Sequence, residues 1–142
     1  MRVLISLLGL FIVLSCSSTE ENENCKFLLN IGVNVSINLS LPEYSQLQFS
    51  GNSVYVSNAG NAGIIVVRIG NDFFAWDAAD PNHELSSCSI LSNSGLNATC
   101  GCTDKNEYSL ANGLPLNNTN LRCGLKNYRV EQSGSNTLRI YN

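Results

Sequence analysis

One histidine, one methionine, one tryptophan and three prolines stand in a chain of 142 residues. A single imidazole argues against a His-rich metal site and against a Ser–His–Asp relay. Charge is scarce as well: charged residues make up 13%, and 8 Lys and Arg face 11 Asp and Glu, for a formal charge of −3. Nucleic-acid binding draws on a basic surface that displaces counterions from phosphates, and no such surface is available. Helical periodicity is missing too, since no window repeats its apolar residues every 3.6 positions. What is present is 44% hydrophobic residues. That is enough for one small core and too much for a disordered chain. The polar remainder leans to Asn, Ser and Gly, the residues of turns and loops.

The chain opens with Met1-Arg2 and an apolar run over residues 3–14. About a dozen apolar residues suit a signal-peptide core and are short for a bilayer span of ~20. The run ends in Val13-Leu14-Ser15-Cys16, which resembles the lipobox of bacterial lipoproteins. The resemblance implies a signal peptide over 1–15 and acylation of Cys16 as the first mature residue. Several acyl chains anchor far more firmly than one, each buried methylene adding ~0.8 kcal/mol. The plainer alternative is an ordinary signal peptide that contains a Cys. Residues 16–24 continue as Cys-Ser-Ser-Thr-Glu-Glu-Asn-Glu-Asn, an acidic, flexible tether. Such a run resembles the surface-export signal of lipoproteins in some Gram-negative phyla; otherwise it is a solvated spacer. The expected address is the outer membrane, reached through acyl chains, with exposure at the cell surface.

Residues 25–142 read as a single all-β domain. Val33-Asn34-Val35-Ser36-Ile37-Asn38-Leu39 alternates strictly and predicts a half-buried strand. Leu47-Gln48-Phe49 continues in that style, and Ser53-Val54-Tyr55-Val56 is another short strand. Residues 58–63 are loop chemistry with two glycines. The β-branched run 63–69 predicts a central strand buried on both faces. Gly70-Asn71-Asp72 is a tight turn, answered by the paired strand Phe73-Phe74-Ala75-Trp76. A long loop follows, from Asp77 to about Leu91. Short strands are expected at 96–100 and 107–110, with a turn at Asn112-Gly113. A final hairpin joins 125–131 to 137–141 about Ser133-Gly134-Ser135. Eight or more short strands suggest a β-sandwich or small barrel.

Five cysteines remain after Cys16, namely Cys25, Cys88, Cys100, Cys102 and Cys123. An exported domain meets an oxidising compartment, so disulfides are expected, and an odd count leaves at least one thiol over. The stretch from about 63 to 141 resembles a Rieske-type iron–sulfur domain. The resemblance is carried by Gly63-Ile64-Ile65-Val66-Val67-Arg68, by Phe73-Phe74-Ala75-Trp76-Asp77, by Asp80-Pro81-Asn82-His83 and by Cys88. It continues through Cys100-Gly101-Cys102-Thr103, Tyr108-Ser109-Leu110-Ala111-Asn112-Gly113-Leu114-Pro115 and Leu125-Lys126-Asn127-Tyr128-Arg129-Val130. It implies a small β-sandwich or barrel whose ligand-loop region is long.

A Rieske [2Fe–2S] centre takes two thiolates on one iron and two imidazoles on the other. Carried over residue by residue, the family's first Cys falls on Asp80 and its first His on Asn82. Its second Cys falls on Cys100 and its second His on Thr103. His83, the chain's one histidine, is one residue off register. A standard centre is therefore not expected, and the cofactor expectation is none, with [2Fe–2S] as the alternative. Cys88, Cys100, Cys102 and His83 form a weaker donor set that suits Zn²⁺, although oxidation competes with it outside the cytoplasm. Many Rieske domains bridge their two ligand loops with a second cysteine pair, and Cys88 and Cys102 fall on those positions. The resemblance thus implies a Cys88–Cys102 disulfide, with Cys100–Cys123 conceivable as a second. Otherwise Cys100 is a buried free thiol, and Cys25 has no assigned partner.

The remaining polar features have plain readings. Asp77, Asp80, His83 and Glu84 could act as acids or bases, but Asp-Pro-Asn-His is also simple turn chemistry. Four Asn-x-Ser/Thr triplets are incidental to an Asn-rich chain. Phe74 and Trp76 share one face of a strand, as a core pair or, if exposed, a carbohydrate platform. The expected function is that of a non-catalytic surface lipoprotein, a structural or binding module for an envelope protein or glycan. The alternative is an electron carrier with a [2Fe–2S] or other metal centre.

Overall fold

The computed structural model describes residues 25–142; the signal peptide, Cys16 and the tether lie outside the described residues. Among the described residues, nine strands form two antiparallel sheets. The strands are β1 (Asn34–Asn38), β2 (Ser53–Val56), β3 (Ile64–Ile69), β4 (Asp72–Asp77), β5 (Leu91–Ser94), β6 (Asn97–Cys100), β7 (Glu107–Ser109), β8 (Asn127–Ser133) and β9 (Thr137–Tyr141). Six of them run in the order β1-β9-β8-β4-β3-β2, and three in the order β5-β6-β7. The larger sheet is narrowest between β4 and β8, which pair only at Ala75–Tyr128 and Trp76–Asn127. It therefore reads as two three-stranded halves joined at a seam.

β3 is the organising strand. Ile64, Ile65, Val66 and Val67 are all fully buried, because the strand has a core on each face. Ile64 and Val66 point into one cluster, with Val33, Ile37, Leu39, Leu47, Ala75, Tyr128, Leu138 and Ile140. Ile65 and Val67 point into the other, with Trp76, Leu91, Ala98, Cys100, Tyr108 and Leu110. The period-2 alternation of a strand produces this division, and each buried Val or Ile contributes about 1.5–3 kcal/mol. β4 repeats it: Ala75 faces the first core and Trp76 the second.

The strand β1 keeps its alternation and pairs with β9 from Asn34–Tyr141 to Asn38–Thr137. Register between β3 and β4 places Ile69 opposite Asp72, so Gly70-Asn71 is a two-residue hairpin turn. Gly70 sits at φ +62°, which glycine adopts without steric cost. Two segments depart from the expected pattern. Ser45–Gln48 is a 3₁₀ turn rather than a strand: Leu47 is buried and Phe49 exposed, so the segment inserts one anchor instead of an alternating face. The long loop also ends in β5, whose Leu91-Ser-Asn-Ser carries a single buried apolar residue.

Trp76 and Phe74 belong to the second core, and the Trp76 indole N–H donates to the Leu110 carbonyl at 2.9 Å. An exposed carbohydrate platform is thereby replaced by a packed pair. Gly113, at φ +74°, lies so close that a Cβ there would stand 2.6 Å from the Trp76 ring. The Asn112-Gly113 turn thus closes directly over the indole.

Candidate functional site

Two loops meet at one end of the small sheet: residues 78–90, which cross from β4 of the large sheet to β5, and residues 101–106 between β6 and β7. The first is shaped by the Asp80 N–H donating to the Ser89 carbonyl at 2.8 Å, and the second by the Cys100 N–H donating to the Asn106 carbonyl at 2.8 Å. A disulfide between Cys88 and Cys102 clips the loops together, Cα to Cα 4.7 Å. Gly101 permits this approach, since a Cβ there would meet the Cys88 carbonyl oxygen at 2.8 Å. Cys123 bonds to Cys25, 98 residues away in sequence. The conceivable Cys100–Cys123 pair is thus corrected: Cys123 is held by the segment that enters the domain. Cys100 is the free, buried cysteine among the described residues.

Between the loops lies a closed polar network. Asp80 is fully buried. Its Oδ1 accepts from the Tyr108 hydroxyl at 2.5 Å and from the Asn82 N–H at 2.9 Å. Its Oδ2 accepts from the Asn106 amide at 3.1 Å. The Asn82 amide nitrogen donates to the Tyr108 hydroxyl at 2.8 Å and to the Cys123 carbonyl at 2.9 Å. Its oxygen accepts from the Cys123 N–H at 3.2 Å. Burial, followed by the Asp80 carboxylate, pushes the Tyr108 phenol far above its usual range. The Asn106 Oδ1 is the one buried side-chain polar atom among the described residues that lacks a hydrogen-bond partner.

Cys100 faces this network from β6. Its sulfur lies 3.5 Å from the Cys102 N–H and 3.6 Å from the Cys88 carbonyl. Burial pushes the thiol up to about 11, the Cys102 N–H pulls it back in part, and Asp80 adds to the rise. His83 stands at the rim, its Nε2 2.6 Å from Asp104 Oδ2, with both side chains partly exposed. The ligand atoms of His83, Cys100 and Cys102 nonetheless lie within 4.8 Å of one another. Thr103 is exposed on the second loop.

Of the four positions expected to correspond to cluster ligands, the fold brings Asp80, Asn82 and Cys100 to one place. Two members of the network, Tyr108 and Asn106, were not legible as site residues. Tyr108 reads as an ordinary inward strand residue, and Asn106 as the polar end of a turn. Asp77, expected in the long loop, ends β4 and is fully buried. It accepts from the Tyr128 hydroxyl at 2.6 Å, from the Asn61 N–H and side-chain amide at 2.8 and 2.9 Å, and from the Ala79 N–H at 3.0 Å. An acid–base role for Asp77 and Asp80 gives way to a structural one, since donors already surround both carboxylates.

No family model matches the chain. No curated protein matches it either. Among solved structures it is similar to a chain of the complex of reduced oxygenase and oxidized ferredoxin in carbazole 1,9a-dioxygenase. The identity is 19%, the match covers 76% of this chain and 93% of that one, and the TM-score is 0.51. The fold is Rieske-like. Lower similarity extends to the ferredoxin of carbazole 1,9a-dioxygenase from Nocardioides aromaticivorans IC177, at 18% identity and a TM-score of 0.47, over 76% of this chain and 95% of that one. It extends also to a putative NADH-dependent nitrite reductase small subunit from Mycobacterium tuberculosis, at 18% identity and a TM-score of 0.46, over 80% of this chain and 97% of that one.

A Rieske-like fold raises the question of a [2Fe–2S] cluster, and the donor chemistry answers it. The cluster takes two thiolates and two imidazoles. This tip offers a carboxylate at Asp80, an amide at Asn82, a thiol at Cys100 and an exposed hydroxyl at Thr103. Asp80 and Asn82 are moreover engaged with Tyr108, Asn106 and the Cys123 backbone. The residues expected at the four ligand positions do not fit a standard Rieske centre.

Proposed function

We propose that this Rieske-like domain is a non-catalytic binding or structural module of the bacterial envelope, carried on an outer-membrane lipoprotein that faces the cell surface. The observation that supports it most is the hydrogen-bonded network of Asp80, Asn82, Asn106 and Tyr108, which ties the first loop to the second and to β7 through polar side chains where a cluster would need ligands. A tip held this way presents a fixed surface. Beside it a pocket of 520 Å³ opens between the entering segment and the loop before β8, lined in part by Pro81, Arg122 and Lys126. Its partner is an envelope protein or glycan.

Two experiments test this reading. Labelled palmitate should enter the chain in bacteria and should be lost on Cys16→Ser; retained label without Cys16 contradicts the anchor. Cross-linking in intact envelopes should give a defined adduct that disappears when residues 81–87 are replaced by a Gly/Ser loop. An adduct that survives that replacement moves the binding surface elsewhere.

A second reading, electron transfer through a nonstandard metal centre, is favoured by one observation: the donors of His83, Cys100 and Cys102 converge. Iron bound in the chain once the Cys88–Cys102 disulfide is opened, with a reversible redox change in its visible absorption, is the result that would establish it.

A further inference from the structure

We propose that the tip holds a reduction-gated site for a zinc-class divalent cation, formed by His83, Cys88, Cys100 and Cys102. The ligand atoms of His83, Cys100 and Cys102 already lie within 4.8 Å of one another. Cys88 Sγ is bonded to Cys102 Sγ, so the fourth donor lies next to the third. Donors of a tetrahedral zinc site stand about 3.5–3.8 Å apart, given metal–donor lengths of about 2.0–2.3 Å. Modest side-chain adjustment spans that difference. Asp104 holds His83 Nε2 at 2.6 Å. A carboxylate on one ring nitrogen orients an imidazole and leaves the other nitrogen's lone pair for a metal. The set shares only Cys100 with the positions that would correspond to Rieske ligands.

The gate is the Cys88–Cys102 disulfide. While it is closed, Cys102 is not a thiolate donor, and two protein ligands at most remain. A dithiol reductant opens it: the dithiol is oxidised to its own disulfide, the Cys88–Cys102 bond takes two electrons and two protons, and two thiols result. Binding of Zn²⁺ to three cysteines and one imidazole then releases three protons and leaves a site of net charge −1. Two thiolates are thereby fixed on the ion, so the metal resists re-oxidation of the pair. The inference goes beyond the module reading and does not depend on it, because that reading concerns the oxidised chain and this one the reduced chain.

The test uses the whole chain carrying Cys16→Ser, which removes the sixth thiol. Reduced anaerobically and freed of reductant, it should bind one Co²⁺ with visible d–d and thiolate charge-transfer bands, displaced by Zn²⁺. The oxidised chain should bind none. His83→Ala and Cys100→Ser, which spare both disulfides, should each weaken Co²⁺ binding by at least tenfold in the reduced state. Binding unaffected by both, or equal binding by the oxidised chain, overturns the proposal. Reduction also opens Cys25–Cys123, so Cys88→Ser supplies a gate left open without reductant. That chain, folded by circular dichroism, should take up Co²⁺ through His83, Cys100 and Cys102; a folded Cys88→Ser chain that takes up none overturns the proposal equally.

Discussion

Two buried aspartates, three residues apart, use the same device to different ends. Asp77 and Asp80 are both fully buried, and each accepts a short hydrogen bond from a tyrosine, Tyr128 and Tyr108 respectively. At Asp77 the partners are backbone and side chain of the 58–63 loop and the Ala79 N–H. That joint ties the end of β4 to the seam of the large sheet. At Asp80 the partners come from both tip loops and from β7, and Asn106 Oδ1 remains unpaired. The frame joint is fully satisfied, whereas the tip joint has polar capacity in reserve.

The largest expected effect separates the two disulfides. Replacing Cys25 and Cys123 by Ala removes a link across 98 residues, and the chain-entropy relation gives about 4.7 kcal/mol for such a loop. Replacing Cys88 and Cys102 opens a separation of 14, for about 3 kcal/mol. Urea midpoints should fall in that order, and the reverse order would mean that the tip, not the entering segment, governs stability.

Next come the aspartates. Asp77→Ala strands four donors and Asp80→Ala three. At about 1 kcal/mol or more for each unsatisfied group, the expected losses are on the order of 4 and 3 kcal/mol. A greater loss at Asp80 breaks the comparison, since the tip would then be the tighter joint.

The smallest effect is a pH slope. The folded Cys100 thiol sits at about 11, above its ordinary value of 9.0, chiefly through burial. The folded chain therefore keeps a proton that the unfolded chain releases. This contribution is fully present below pH 9.0 and is lost as pH rises towards about 11. Stability measured across that range should fall less steeply in Cys100→Ser than in the unaltered chain. Equal slopes would mean that the thiol is not shielded from water.

The sequence reveals the frame better than the tip, for a physical reason. Strands announce themselves locally: alternation in 33–39, a β-branched run in 63–69 and a Gly-Asn turn each depend on neighbours in the chain. The 3₁₀ turn at Ser45–Gln48 and the polar β5 lack such a signal. The tip is built from residues far apart in sequence. Tyr108 reaches Asp80 across 28 positions, and Asn82 reaches Cys123 across 41. Resemblance pointed to Asp80, Asn82 and Cys100 as the residues expected at ligand positions, and the fold brings the three together. Nothing local marked Tyr108 and Asn106 as their partners, or Cys25 as the partner of Cys123.

On the proposed reading, the tip of this Rieske-like fold is closed by its own side chains and carries no [2Fe–2S] cluster. Iron analysis with an absorption spectrum tests it most directly, on chain made through an oxidising compartment and on chain made where clusters are assembled. Both preparations should be colourless and free of iron. Two irons per chain with charge-transfer bands, in either one, would contradict the account.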